Sequence, residues 1–176
     1  ILTPELRLHL VTDDCPLWTA TDADLTALDL PAPYWAFAWA GGQALARHIL
    51  DNPGLVAGQR VLDFGSGGAI EGLAAAFGGA ESVLAADIDP YAETAAELNA
   101  ALNGVRLDTT TDDLIEVDGD WDVVLAGDVT YDEDMARRVR GWLETLARRG
   151  ATVLLADPGR GFLDVEGFTP LATYDA

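Results

Sequence analysis

A chain of 176 residues, 49% of them hydrophobic, suits one domain of ordinary size around one buried core, and a single domain over residues 1–176 is expected. Thirty acidic residues face ten basic ones, all arginine with no lysine, and the formal net charge of -20 disfavours nucleic acid and anionic membrane surfaces while favouring cationic ligands. No run approaches the roughly 18 apolar residues of a membrane helix, the start does not read as a signal peptide, and Cys15 has neither a disulfide partner nor a histidine cluster beside it, so a cytoplasmic protein without a metal is expected.

Residues 1–58 read as a lead-in and cap to a core over 59–176. The lead-in contains an aromatic stretch, Pro31 to Gly42 with Tyr34, Trp35, Phe37 and Trp39, then a helix through Leu50 ended by Asn52-Pro53-Gly54. These aromatics suit either a cap on a sheet or the wall of a pocket. From Arg60 short apolar runs alternate with helical patterns: Arg60 to Phe64, Ser82 to Ala86, Val105 to Thr109, Trp121 to Ala126 and Ala151 to Ala156. That is the rhythm of a βαβ sheet. Three of the runs are apolar almost throughout, which predicts central, parallel strands covered on both faces.

A helix is predicted from Pro90, with Asp89 as N-cap and Tyr91, Ala95, Leu98 and Leu102 along its inner stripe, to Asn103-Gly104. Another begins in Asp132, Glu133 and Asp134, buries Met135, Val139, Trp142 and Leu146, and ends in Arg148-Arg149-Gly150, with acid and base placed to suit the helix dipole. The chain opens at Ile1 rather than methionine and closes at Ala176 as a new extended run, Leu171 to Tyr174, begins; both ends are expected to be incomplete.

The most informative segment is Val61-Leu62-Asp63-Phe64-Gly65-Ser66-Gly67-Gly68-Ala69, a strand entering a glycine-rich turn and then a helix. Gly65 and Gly67 let the backbone approach a ligand closely. A nicotinamide-dinucleotide fingerprint needs G-x-G-x-x-G, and the sixth position here is Ile70, so that reading fails at its last glycine. An acid at the strand end followed by G-x-G remains. The second strand ends in Asp87-Ile88, offering a carboxylate for ribose hydroxyls and an apolar side chain for a purine face. The third leads to Asp112, Asp113 and Leu114, where a carboxylate suits an exocyclic amine, and the fourth to Asp128 and Tyr131. Polar groups thus collect at the carboxyl ends of the strands, where open α/β sheets bind ligands.

With these motifs the chain resembles the class I, seven-strand S-adenosylmethionine-dependent methyltransferases, and most of all the electron-transfer-flavoprotein β-subunit lysine methyltransferase family with its bacterial relatives. The resemblance is carried by Pro33 to Arg47, Val61 to Gly67, Asp87 to Pro90, Gly127 to Asp134 and Leu155 to Arg160. Ala69 departs from it, standing where the family usually has a third glycine. It implies an α/β fold, a Rossmann-like, doubly wound and mainly parallel seven-stranded sheet whose C-terminal hairpin is incomplete in this chain. It further implies S-adenosylmethionine as cofactor and S-adenosylhomocysteine as product, with Asp63, Gly65, Ser66 and Gly67 at the methionine end, Asp87 and Ile88 at the ribose and adenine, Asp112, Asp113 and Leu114 at the adenine, and Trp39 closing the other side. By the same resemblance Asp128 and Tyr131, a D-x-x-Y pair, are the catalytic residues facing methyl group and amine, and Asp157 and Arg160 flank the substrate entrance, although an Asp-Pro-Gly turn explains the latter pair nearly as well. The implied reaction is methylation of a lysine on a protein partner. Methylation of a small amine such as nicotinamide, or a non-catalytic cofactor-binding subunit, are the alternatives.

Overall fold

The computed structural model describes residues 2–175; Ile1 and Ala176, the ends on which incompleteness is expected, lie outside the described residues. Five strands, β1 (Arg60–Phe64), β2 (Ser82–Ala86), β3 (Asp108–Thr110), β4 (Val123–Gly127) and β5 (Thr152–Ala156), form one parallel sheet in the order β3-β2-β1-β4-β5. Five α-helices accompany them: α1 (Asp22–Ala27), α2 (Ala40–Asp51), α3 (Ile70–Phe77), α4 (Pro90–Asn103) and α5 (Glu133–Arg149). The fold is α/β, doubly wound and Rossmann-like. Neither a hairpin nor a strand over Leu171 to Tyr174 is present among the described residues; the run is irregular, and Tyr174 Oη lies 3.0 Å from His48 Nδ1 of α2.

The alternation of side chains along each strand divides the core into two layers. Val61, Val83, Val123, Leu125 and Leu154 point to one face and pack on Leu45, Ala46 and Ile49 of α2 and Leu73, Ala74 and Ala75 of α3. Their neighbours Leu62, Ala86, Val124 and Ala126 point to the other, against Val139, Trp142, Leu143 and Leu146 of α5. Met135 packs at the margin of this second layer, and Phe64 meets Trp142 edge-on with ring centroids 4.7 Å apart. The strand β5, apolar like β4, occupies an edge of the described sheet instead of its centre.

Two strands start later than the apolar runs suggest, for one reason. Gly104 and Gly150 close α4 and α5 in the left-handed conformation, and the residues after them donate back into the helix, Val105 to Ala100 O and Ala151 to Leu146 O, both at 3.1 Å. Those amides are spent on the helix ends and leave the ladder to β3 and β5. The limits of β4 shift as well: it begins at Val123 and runs on to Gly127, while Asp122 just before it donates its amide to Arg60 O at 2.9 Å and takes the Arg60 guanidinium on its carboxylate, which holds that carboxyl down to about 2. In α4 the expected stripe is corrected. Tyr91 and Leu98 are exposed, and the buried face consists of Ala92, Ala95, Ala96, Asn99 and Ala100, because the crowded approach to β2 and the turn after β1 admits small side chains.

From β1 the chain moves outward through β2 to β3, then returns across β1 to β4 and β5. This reversal opens a crevice between the carboxyl ends of β1 and β4, the place where doubly wound sheets take ligands. Residues 65–69 and 128–131 meet there. A methyl group on Gly65, whose φ is +67°, would lie 2.7 Å from Val129 Cγ1, so the two loops touch.

Candidate functional site

The turn after β1 is fixed by β2. Gly65 N and Ser66 N donate to Ala86 O at 2.9 and 3.0 Å, and Gly67 N donates to Asp87 Oδ2 at 2.9 Å. Gly67 and Ala69 both take positive φ, 49° and 60°, and Ala69 is the N-cap of α3 without a side-chain cap of its own. An alanine thus adopts the left-handed conformation that the third glycine would accept more readily. Asp87 Oδ1 accepts from Asp89 N at 3.0 Å, so among the described residues each oxygen has one partner and keeps capacity for another. Burial, chiefly, raises the Asp87 carboxyl above the usual carboxylate range. Beside it Ile88 is 68% exposed, an apolar side chain held in the open.

Asp63 does not reach that open side. It is fully buried, its Oδ2 accepts from Gly72 N in α3 at 2.8 Å, and it supports the turn from beneath instead of touching a ligand. Next to it lies Glu71, which the sequence reading missed. Only 3% exposed, Glu71 is pushed well above the usual carboxyl range, first by burial and then by the charge of Asp63. Burial raises the Asp63 carboxyl too, but the Gly72 amide favours its charged form and pulls it back, so of the two acids Glu71 is the one pushed further towards holding its proton. Among the described residues no N–H or O–H reaches Glu71 Oε1 or Asp63 Oδ1.

The loop after β4 is engaged from both sides. Asp128 has φ 58° and turns its carboxylate onto the start of α2, where Oδ2 accepts from Gly41 N at 2.5 Å and Gly42 N at 3.1 Å. Trp39, the N-cap residue, offers no capping oxygen, and Asp128 caps the helix in its place. The other oxygen, Oδ1, lies 2.7 Å from a guanidinium nitrogen of Arg160. The carboxylate expected to stand free before an amine is therefore covered, its side chain 8% exposed. Asp157 is likewise occupied: it accepts from the buried Thr130 hydroxyl and, at 2.6 Å, from Gly159 N, which closes the Asp-Pro-Gly turn.

Tyr131 stands 52% exposed on the same rim. Its hydroxyl is shifted upward, mainly by partial burial and then by the charges of Asp132, Tyr34 and Asp87. Trp39 donates from Nε1 to Tyr34 O at 2.9 Å, and its ring continues a series with Tyr34, Phe37 and Trp18 at centroid spacings of 5.8 to 6.1 Å. Trp35 stacks on Tyr91 and lays its backbone over Gly67 and Gly68. Asn99, also missed, is fully buried in α4, donating to Gly68 O at 2.9 Å and accepting from His9 N at 2.7 Å. An amide among alanines at helical spacing was the available signal.

Beyond β3, Asp112 is exposed, and Asp113 is exposed too but pairs with Arg138 at 3.5 Å. Leu114 is buried in the α5 layer, so it forms floor and not an open contact. A concavity at the opposite end of the sheet, lined by Arg60, Ser82, Asp108 and Trp121, lies away from all of these groups.

A family model described as ribosomal protein L11 methyltransferase matches residues 44–129. The electron transfer flavoprotein beta subunit lysine methyltransferase of Xenopus laevis is 43% identical over 180 residues, an alignment that covers 98% of this chain and 72% of that protein. The chain belongs to this lysine methyltransferase family. Its counterpart from Danio rerio is 45% identical over 90% of this chain, which there spans 62% of the relative's length. Among solved structures, ribosomal protein L11 methylase from Lactobacillus delbrueckii subsp. bulgaricus is 29% identical with a TM-score of 0.53, over 68% of this chain and 61% of that one. The T. thermophilus 16S rRNA N2 G1207 methyltransferase, solved with AdoMet and guanosine, shares the fold at a TM-score of 0.57 and 20% identity, over 74% and 37% of the two chains. Within the lysine methyltransferase family, then, the crevice between β1 and β4 is the candidate active site.

Proposed function

We propose that this chain carries S-adenosylmethionine-dependent methylation of a lysine amine on a protein partner, with the electron transfer flavoprotein β subunit as the target suggested by the relatives' names. The observation that carries the reading is the Gly65-Ser66-Gly67 turn held against Asp87, with Ile88 open beside it and the Asp128-to-Tyr131 loop across the crevice. That arrangement fits the cofactor: backbone at a left-handed glycine for the amino-acid end, unspent lone pairs on Asp87 for the ribose, and an exposed aliphatic side chain for the adenine face. Asp112 takes the adenine amine. When bound, S-adenosylmethionine supplies a methyl carbon activated by a sulfonium.

The protein's own task is alignment and exclusion of water. Tyr131 and Trp39 wall the approach, and Asp128 orients an incoming cation. Asp128 would hold the amine in line while its proton passes to water, and the bound cofactor would supply the methyl group to the freed lone pair. An acidic surface of net charge -20 draws a lysine-bearing partner in. In the test, calorimetry is run with S-adenosylhomocysteine and with NADH, and labelled methyl transfer is compared on the electron transfer flavoprotein β subunit and on nicotinamide. Binding of the first ligand alone and labelling of the protein support the reading. Methylation of nicotinamide and of no protein would overturn the lysine assignment.

A further inference from the structure

Asp128 and Arg160 form an ion pair at the mouth of the crevice, and its surroundings treat the two partners unequally. Asp128 is fixed: its backbone amide donates to Ala156 O at 3.0 Å, its Oδ2 is held by two amides of α2, and its side chain is 8% exposed. Arg160 is not. It sits between Gly159 and Gly161, both at positive φ, in a loop anchored upstream by Asp157, and among the described residues it makes no other ion pair or side-chain hydrogen bond. Its side chain remains 30% exposed. The Asp128 oxygen it covers, Oδ1, is buried and receives no aligned hydrogen bond, although the guanidinium nitrogen is 2.7 Å away.

We propose that Arg160 is an internal stand-in for the substrate's cation: its guanidinium occupies Asp128 Oδ1 in the free protein and must swing out before a substrate ammonium can pair there. The inference rests on the amine-substrate reading of the site. Three observations converge on it. The pair links an anion held by three backbone contacts to a cation that has no other partner among the described residues and is flanked by two glycines, so exchange disturbs few other contacts. Without Arg160 the buried Oδ1 would be left with no partner, its charge offset only through the α2 amides on Oδ2, which an empty site tolerates less well. The stand-in is also chemically inert, since a guanidinium stays protonated in proteins and offers no lone pair for attack, whereas a lysine in its place would itself be a nucleophile once deprotonated. Displacement makes the site selective, because a neutral amine-free side chain would leave the ion pair closed.

The test uses n-butylammonium as a mimic of the lysine side chain, titrated into isotopically labelled protein saturated with S-adenosylhomocysteine. The amide resonances of Gly41 and Gly42, which are bonded to Asp128, report occupancy. Arg160→Gln is expected to bind the cation at least tenfold more tightly than the wild type. Arg160→Lys, which keeps a competing charge, should stay within about threefold of the wild type, and adding Asp128→Asn to Arg160→Gln should abolish the gain. Equal or weaker binding in Arg160→Gln would overturn the proposal and make Arg160 a contact or support for substrate. The titration needs no turnover, so a failure of the methyl-transfer assay and a failure of this inference are read separately.

Discussion

Asp87 Oδ2 accepts a hydrogen bond from Gly67 N at 2.9 Å, joining the end of β2 to the turn after β1 across twenty positions of sequence. The same carboxylate is the group we assign to the ribose. Asp87→Ala should weaken S-adenosylhomocysteine binding by about 1.5–3 kcal/mol, the range for lost hydrogen bonds to a charged group. Calorimetry measures it directly, and unchanged affinity would remove Asp87 from that role.

Glu71 gives a pH signature. Its folded pKa is raised well above the value of the unfolded chain, so the native state binds the proton more tightly. Stability from this group is complete below the unfolded pKa and is lost as pH rises towards the folded one. Glu71→Gln keeps the shape and cannot ionise. Its melting temperature relative to the wild type should therefore climb between pH 5 and pH 8, followed by calorimetric scans at several pH values. A constant difference would mean that Glu71 is not the protonated partner.

Gly127 lies where a methyl group would overlap Glu71 Oε1 and stand 2.9 Å from the Gly42 backbone. Gly127→Ala is expected to cost about 1–3 kcal/mol of stability in chemical denaturation, as overpacked interiors do. Shortening the opposing side chain with Glu71→Ala should return part of that loss, a coupling that a double-mutant cycle isolates.

Asp128 separates capping from chemistry. Asp128→Asn retains an oxygen for the Gly41 and Gly42 amides, so cofactor affinity should hold while kcat falls at least tenfold, about 1.4 kcal/mol of barrier. Asp128→Ala removes the cap as well and should lower stability by a further ~1 kcal/mol. Steady-state kinetics beside thermal denaturation distinguishes the two effects, and full activity in the asparagine variant would end the catalytic assignment.

Most of the framework was legible because its signals are local. Asp89-Pro90 starts α4, acidic and basic ends mark α5, and β1 and β2 run over the very residues the apolar pattern outlines. Errors arose where a group serves an element other than its own. Val105 and Ala151 look like strand residues, yet their amides finish helices. On α4, Tyr91 and Leu98 promised an inner stripe, but the close approach of β2 favoured alanines. At the site, D-x-x-Y marked Asp128 as important without revealing its partners: Gly41 and Gly42 are more than eighty positions away, and Arg160 belongs to a third segment. Glu71 escaped notice because a glutamate in the first turn of a helix ordinarily faces water and the dipole, and only the neighbouring Asp63 and Gly127 show that this one does not.

The cap that Asp128 places on α2 also bears on descent. A helix whose own N-cap position holds tryptophan depends for its first turn on an acid 87 residues downstream, while that acid depends on two glycine amides to hold its carboxylate. Neither partner can drift alone. In a lineage that replaced Asp128, the Trp39-to-Gly42 segment would come under selection for a serine, threonine or aspartate at position 39, and the ring that joins Tyr34 to Phe37 would be lost with it. Positions 39 and 128 are thus expected to be inherited as one character.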